Sequence, residues 1–106
     1  MNYFADGSKR WNAKTLWAAA SEIHPVNIET EVLLATGDKC PSSFTPRDLV
    51  EEVRRVTYAD RSFPVVLTPE GHVCDGWHRV IQASVAGAAT VRCVRLATMP
   101  KEDGIL

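Results

Sequence analysis

The stretch that most limits what this 106-residue chain can fold into runs from Phe63 to Gly87. Phe63-Pro64-Val65-Val66-Leu67-Thr68 is apolar and β-branched, Pro69-Glu70-Gly71 carries turn chemistry, and His72-Val73-Cys74 returns as a second short strand. Asp75-Gly76 interrupts that strand. From Trp77 to about Ala86 the apolar residues Trp77, Val80, Ile81 and Val85, with Ser84, recur at helical spacing, and Gly87 stands where a helix commonly ends. A tight antiparallel pair followed at once by an amphipathic helix has to pack the helix back onto the pair, and the remaining chain has to cover what is left.

Upstream, Asn12 is placed as the N-cap of a helix from Ala13 to about Ile23, with Leu16, Trp17, Ala20 and Ile23 on its core face and His24-Pro25 as its stop. Val26 to about Glu31 alternates like a half-buried strand, whereas Val32 to Ala35 suits either its continuation or a helical turn. Thr36 to Ser43 reads as an irregular loop. Thr45 as N-cap, Pro46 at the first helical position and Asp48 in the first turn open another helix. Its stripe is Leu49, Val50, Val53, Val56 and Thr57, opposite a solvated face of Glu51, Glu52, Arg54 and Arg55, with Glu51 and Arg55 paired. Thr90 to Leu96 is a last strand, interrupted by Arg92 and Arg95. Residues 1–10 are expected to be a loose arm and residues 99–106 a polar tail, on a single domain spanning 1–106.

The charge balance bears on partners. Twelve basic residues face thirteen acidic ones, for a net charge of −1, so nucleic acid is not the expected partner. Three cysteines (Cys40, Cys74 and Cys93) with no CxxC spacing point away from a disulfide scaffold and from a structural metal. No apolar run reaches the length of a membrane span and no signal peptide is recognisable, so the expectation is a cytoplasmic, reduced protein.

Chemistry concentrates at Cys74-Asp75-Gly76-Trp77-His78-Arg79. The first N–H groups of a helix lack internal partners and carry partial positive charge, so an anion is welcome there. Gly76 permits close backbone approach, and Arg79 adds a planar fork suited to phosphate. His78 and Arg79 in a first turn oppose the helix dipole unless an anion binds, and broken local rules of that kind gather at functional sites. The competing structural readings are an N-cap for Asp75, an exposed helix histidine for His78, an ion pair of Arg79 with Glu70 or Asp75, and core packing for Trp77. Ser43 and Arg47, at the start of the earlier helix, are second-tier phosphate candidates. Glu29 and Glu31 are read first as exposed strand carboxylates.

Phe63-Pro64-Val65-Val66-Leu67, Gly71, Asp75-Gly76-x-His78-Arg79, Ala83, Gly87 and the strand Val91 to Leu96 together resemble the ParB/sulfiredoxin superfamily. The resemblance implies an α+β fold with a short mixed sheet packed by three to four helices. It also implies that Gly76, His78 and Arg79 face nucleotide phosphates. Sulfiredoxin-like proteins carry a Cys directly before the His-Arg pair, where this chain has Trp77, so sulfinic-acid reduction is not expected. ParB proteins add a helix-turn-helix module that these residues do not encode, so centromere binding is not expected either. The implied function is nucleotide or phosphate binding, with weak phosphotransferase or nucleotide-hydrolysing activity in which Asp75 and His78 are the catalytic candidates. ATP, ADP or CTP with Mg²⁺, or a phosphorylated small molecule, is the implied ligand. The alternatives are a non-catalytic interaction protein, an inhibitor or accessory factor with a protein partner, and, more weakly, a ParB-like nuclease.

Overall fold

A computed structural model describes residues 3–37 and 44–106. In chain order it comprises β1 (Tyr3–Asp6), β2 (Lys9–Asn12), α1 (Ala13–Ala20), β3 (Val26–Glu29), α2 (Thr30–Leu34), α3 (Pro46–Thr57), β4 (Val65–Leu67), β5 (Val73–Asp75), α4 (Trp77–Val85), β6 (Thr90–Arg95) and β7 (Gly104–Ile105). The class is α+β, as expected. The larger sheet has the order β3-β6-β4-β5, antiparallel at both outer pairs and parallel between β6 and β4. It is therefore mixed. Among the described residues, no helix is long and apolar enough to cross a membrane.

Both faces of this sheet are covered, which explains why β4 reads as a continuous apolar run rather than an alternating one. Val65, Leu67, Val73, Val91 and Cys93 turn to one side, where Leu33 of α2 and Val80 and Ala83 of α4 pack on them. Val66, Cys74, Val94 and Leu96 turn to the other side, against Trp11, Leu16 and Ala20. The pleat sends alternate residues to opposite faces, so one short strand serves two cores. Arg92 and Arg95, which break the apolar pattern of β6, are exposed and donate to the carbonyls of Ser62 and Pro69.

The ends of the chain differ from expectation. In place of a loose arm and a free polar tail, β1, β2 and β7 form an antiparallel sheet, with Phe4 opposite Trp11 and Arg10 opposite Gly104. Gly7-Ser8 turns the hairpin, with Gly7 at φ 61°, a conformation glycine adopts without cost. Trp11 is buried and its indole donates to the Pro100 carbonyl at 2.7 Å. The Asn12 side chain makes no cap hydrogen bond to α1, and Asp103 ties the start of that helix to the end of the chain. Its two carboxylate oxygens accept from the Asn12 amide at 2.7 Å and the Thr15 hydroxyl at 2.9 Å. Those bonds, the Asn12 one first, hold the Asp103 carboxyl below its ordinary range.

Three helical details also depart from the sequence reading. α1 stops at Ala20 rather than near Ile23, because the Ser21 hydroxyl donates to the Ala18 carbonyl at 2.8 Å. Trp17, assigned by spacing to the core face, is 49% exposed. The segment after β3 is helical: Thr30 anchors it through its hydroxyl to the Ala88 carbonyl at 2.8 Å, and Leu33 drops into the core. α3 begins as expected, with a Thr45–Asp48 capping box and Pro46 in the first turn. Its rotation differs from the one its apolar stripe predicts. Leu49, Val50 and Val53 are exposed, and Glu52, Val56 and Ala59 are the half-buried residues on the α4 side. Polar anchors set that rotation: Glu52 pairs with His78, and the Gln82 amide donates to the carbonyls of Thr57 and Ala59. The surface pairs are Arg54–Glu51 and Arg55–Glu52, not Glu51–Arg55.

Burial also makes the two described cysteines inert. Desolvation, aided by the neighbouring Asp75 charge, pushes the Cys74 thiol up to about 12, and desolvation pushes Cys93 to about 11. A thiol reacts as its thiolate. In a Cys40→Ser variant, both thiols are expected to resist an aromatic disulfide reagent at pH 8 in the native state and to react fully in urea. Rapid native-state labelling would contradict the two-sided core.

Candidate functional site

β5 ends at Asp75, and the chain turns into α4 through Gly76 at φ 110°, a backbone that L side chains rarely adopt. Space there is as restrictive as the dihedral. A Cβ on Gly76 would lie 3.2 Å from Val65 Cγ2 and 3.3 Å from the Arg79 guanidinium carbon. The N-cap of α4 is thus a residue with no side chain, and no side chain caps the helix. Asp75, whose structural alternative was capping, does not fill that role.

Instead Asp75 is the hub of a network. Its Oδ2 accepts from the Arg79 guanidinium at 2.8 Å and from the Trp17 indole at 2.7 Å. The other arm of Arg79 donates to the carbonyls of Phe63 at 3.0 Å and Pro64 at 2.6 Å, where the chain enters β4. The ion pair is largely enclosed, with side chains 13% and 19% exposed. Of the two structural partners weighed for Arg79, Asp75 is the one found. A guanidinium reaching three acceptors in different directions uses the planar fork that lysine lacks.

His78, one residue earlier, points at α3, with Nε2 2.8 Å from Glu52 Oε2. A carboxylate on one imidazole nitrogen fixes the ring and leaves the other nitrogen for a ligand or a proton. Trp77 packs against the core on the α2 side; its ring edge is 3.0 Å from where a Gly37 Cβ would stand. It leaves the corner unplugged.

Between α3 and the start of α4 lies a groove of about 520 Å³ lined by Arg54, Arg55, Tyr58, Asp60 and, from the α4 side, Asp75, Gly76, His78 and Arg79. The structure therefore brings Asp75, Gly76, His78 and Arg79 to one cavity, and the solvated face of α3, where Arg54 and Arg55 are exposed as expected, borders it. Three arginines and two aspartates line it, and each arginine has a carboxylate partner: Arg54 has Glu51, Arg55 has Glu52 and Arg79 has Asp75. Arg47 is not brought in; it sits exposed in the first turn of α3, at the end away from Arg54, Arg55 and Tyr58. Ser43 lies outside the described residues. Glu29 ends β3 and Glu31 lies in the first turn of α2, both exposed and neither lining the groove.

An arrangement of this kind can take an anion by guanidinium N–H donors and by backbone amides. For a divalent cation, no three His, Cys, Asp or Glu side chains converge among the described residues. The groove does offer single carboxylate oxygens, because Asp75 Oδ1 makes no hydrogen bond among the described residues and Asp60 bonds Ser62 through Oδ1 alone. That fits a Mg²⁺ ion held mainly by a ligand's phosphates and by one or two carboxylates. No family model, no curated protein and no solved structure matches this chain.

Proposed function

We propose that this chain is a nucleotide- or phosphate-binding domain of the ParB/sulfiredoxin-like type, with the anion received between α3 and the N-terminus of α4. The observation that carries this reading is the convergence of Arg54, Arg55, His78 and Arg79 on one groove beside a helix start whose cap has no side chain. In this reading Arg54 and Arg55 contact phosphate oxygens, the free face of His78 contacts or protonates one of them, and Arg79 holds the corner in shape while lending charge. Asp75, whose Oδ1 makes no hydrogen bond among the described residues, is the carboxylate this reading assigns to orienting Mg²⁺ or an attacking hydroxyl in a weak phosphotransferase or nucleotide-hydrolysing reaction.

Calorimetry against ATP, ADP and CTP with Mg²⁺ tests the reading. Each charge-assisted contact is worth about 1.5–3 kcal/mol, so Arg54→Ala and Arg55→Ala should each weaken binding about tenfold or more. Stability should change by less than about 1 kcal/mol, because exposed ion pairs contribute little. No heat with any of the three ligands would reject the reading.

A second reading, a non-catalytic protein with a protein partner, is favoured by one observation: Leu49, Val50 and Val53 of α3 are each more than half exposed. Such a face is what a partner helix or sheet would cover. A partner recovered with the native chain and lost on Leu49→Glu, while Arg54→Ala leaves it bound, would favour this second reading over the first.

A further inference from the structure

On the far side of the Asp75–Arg79 pair lies a second cavity, about 290 Å³, lined by Trp17, Ala20, Ser21, Phe63, Pro64 and Val66. That volume is at the lower end of small-ligand pockets. Two aromatic side chains line it, and both are well exposed, Trp17 at 49% and Phe63 at 63%. Aromatic rings left in water beside a cavity are a cost to the free protein that a stacked ligand removes.

The lining has almost no hydrogen-bonding capacity to offer. The Trp17 indole N–H is spent on Asp75, the carbonyls of Phe63 and Pro64 are engaged by Arg79, and the Ser21 hydroxyl proton is spent on the Ala18 carbonyl. A peptide or sugar, which must satisfy its own polar groups on binding, is poorly served by such walls. A flat ring that needs only faces to stack on is well served. The network that consumes these groups also fixes the walls, since Asp75 holds the indole and Arg79 holds the backbone of Phe63.

Position ties the cavity to the groove. Trp17 and Arg79 donate to the same oxygen of Asp75, so the indole and the guanidinium lie no further apart than two hydrogen bonds laid end to end. We infer that the Trp17–Phe63 slot takes the planar heteroaromatic base of the nucleotide whose phosphates enter the groove, and that it holds the base by stacking alone. The inference rests on the phosphate-groove reading and adds the ligand's other half. Because stacking is indifferent to the pattern of ring substituents, purine and pyrimidine nucleotides should bind within about tenfold of one another.

The test compares ATP with inorganic tripolyphosphate, which has the charge without the base, by calorimetry on the full chain. Loss of one stacking contact should cost ATP about tenfold to a hundredfold in affinity. Phe63→Ala is expected to show that loss with tripolyphosphate binding unchanged; Trp17→Ala should show the same loss for ATP, and Trp17→Phe, which keeps a ring, should restore most of it. Phe63→Ala guards against misfolding, because it spares both the Asp75 bond and the Phe63 carbonyl. Equal ATP affinity in native protein, Phe63→Ala and Trp17→Ala would overturn the slot and leave the groove standing. If neither ATP nor tripolyphosphate binds the native chain, the groove fails and the slot with it.

Discussion

Replacing Arg79 with Ala should lower the stability of the protein by about 3 kcal/mol, measured by urea unfolding. Removing one partner of an enclosed ion pair typically costs about 3–5 kcal/mol, because the other charge stays behind without compensation. Here the Asp75–Arg79 pair is 19% and 13% exposed, and the carbonyls of Phe63 and Pro64 lose their donor as well. Residual solvent access at the corner places the expectation at the lower end of that range. For a domain of this size, the corresponding fall in melting temperature is roughly 15 °C. Arg79→Lys keeps the charge but reaches fewer acceptors, so an intermediate loss is expected. An Arg79→Ala protein as stable as the parent would mean that the fork does not hold the entry to β4. The structural role also makes Arg79 a poor residue for isolating phosphate binding, which is why Arg54 and Arg55 are the sharper probes.

The Gly76→Ala protein should lose about 2–4 kcal/mol by the same measurement. Two terms add. A non-glycine residue held at φ 110° costs about 1–3 kcal/mol. The new methyl also meets the Val65 side chain at 3.2 Å and the Arg79 guanidinium carbon at 3.3 Å, tight enough that one must give. Val65 is fully buried in the central strand, so Arg79 is the neighbour that moves, and its bonds to Asp75 and Pro64 are strained with it. Ligand affinity should fall together with stability. Gly71→Ala is the control: its φ of 91° carries similar backbone strain, but a Cβ there meets nothing within 4 Å. A Gly76→Ala protein no less stable than Gly71→Ala would show that close packing at the corner contributes nothing.

How far the sequence revealed this architecture depends on how local each determinant is. Thr45, Pro46 and Asp48 specify the start of α3 within a few residues, and the structure has that capping box. The hairpin and the helix after it were equally legible, since the strand run, the turn and the helical spacing of Trp77, Val80 and Ser84 are all contained in one short stretch. The β1–β2 hairpin is absent from the sequence reading although Gly7-Ser8, between Phe4 and Trp11, is itself a hairpin signal. Its short, polar strands do not alternate cleanly, and the pairing that makes them a sheet comes from β7, at the opposite end of the chain.

The candidate site divides along the same line. Asp75, Gly76, His78 and Arg79 are consecutive or nearly so, and the strand-to-helix turn alone marks them. Arg54 and Arg55 do stand on a solvated face, but that this face borders the groove is not legible in helical periodicity, which orients the apolar stripe inward by default. α3 breaks that default, since its rotation is fixed by Glu52 on His78 and by Gln82 on the α3 C-terminus, contacts between segments far apart in sequence. Trp17 was assigned to the core for the same reason; only the distant Asp75 gives its indole a reason to stay at the surface.

An NMR titration of isotope-labelled protein with Mg²⁺-ATP reports most directly on where an anion enters. The largest shifts are expected at the amides of Trp77 and His78, which open α4 without a side-chain cap, and at the guanidinium groups of Arg54 and Arg55. Shifts confined to the Arg47 end of α3 or to the outer edge of β3, or none at millimolar ligand, would contradict binding between α3 and α4.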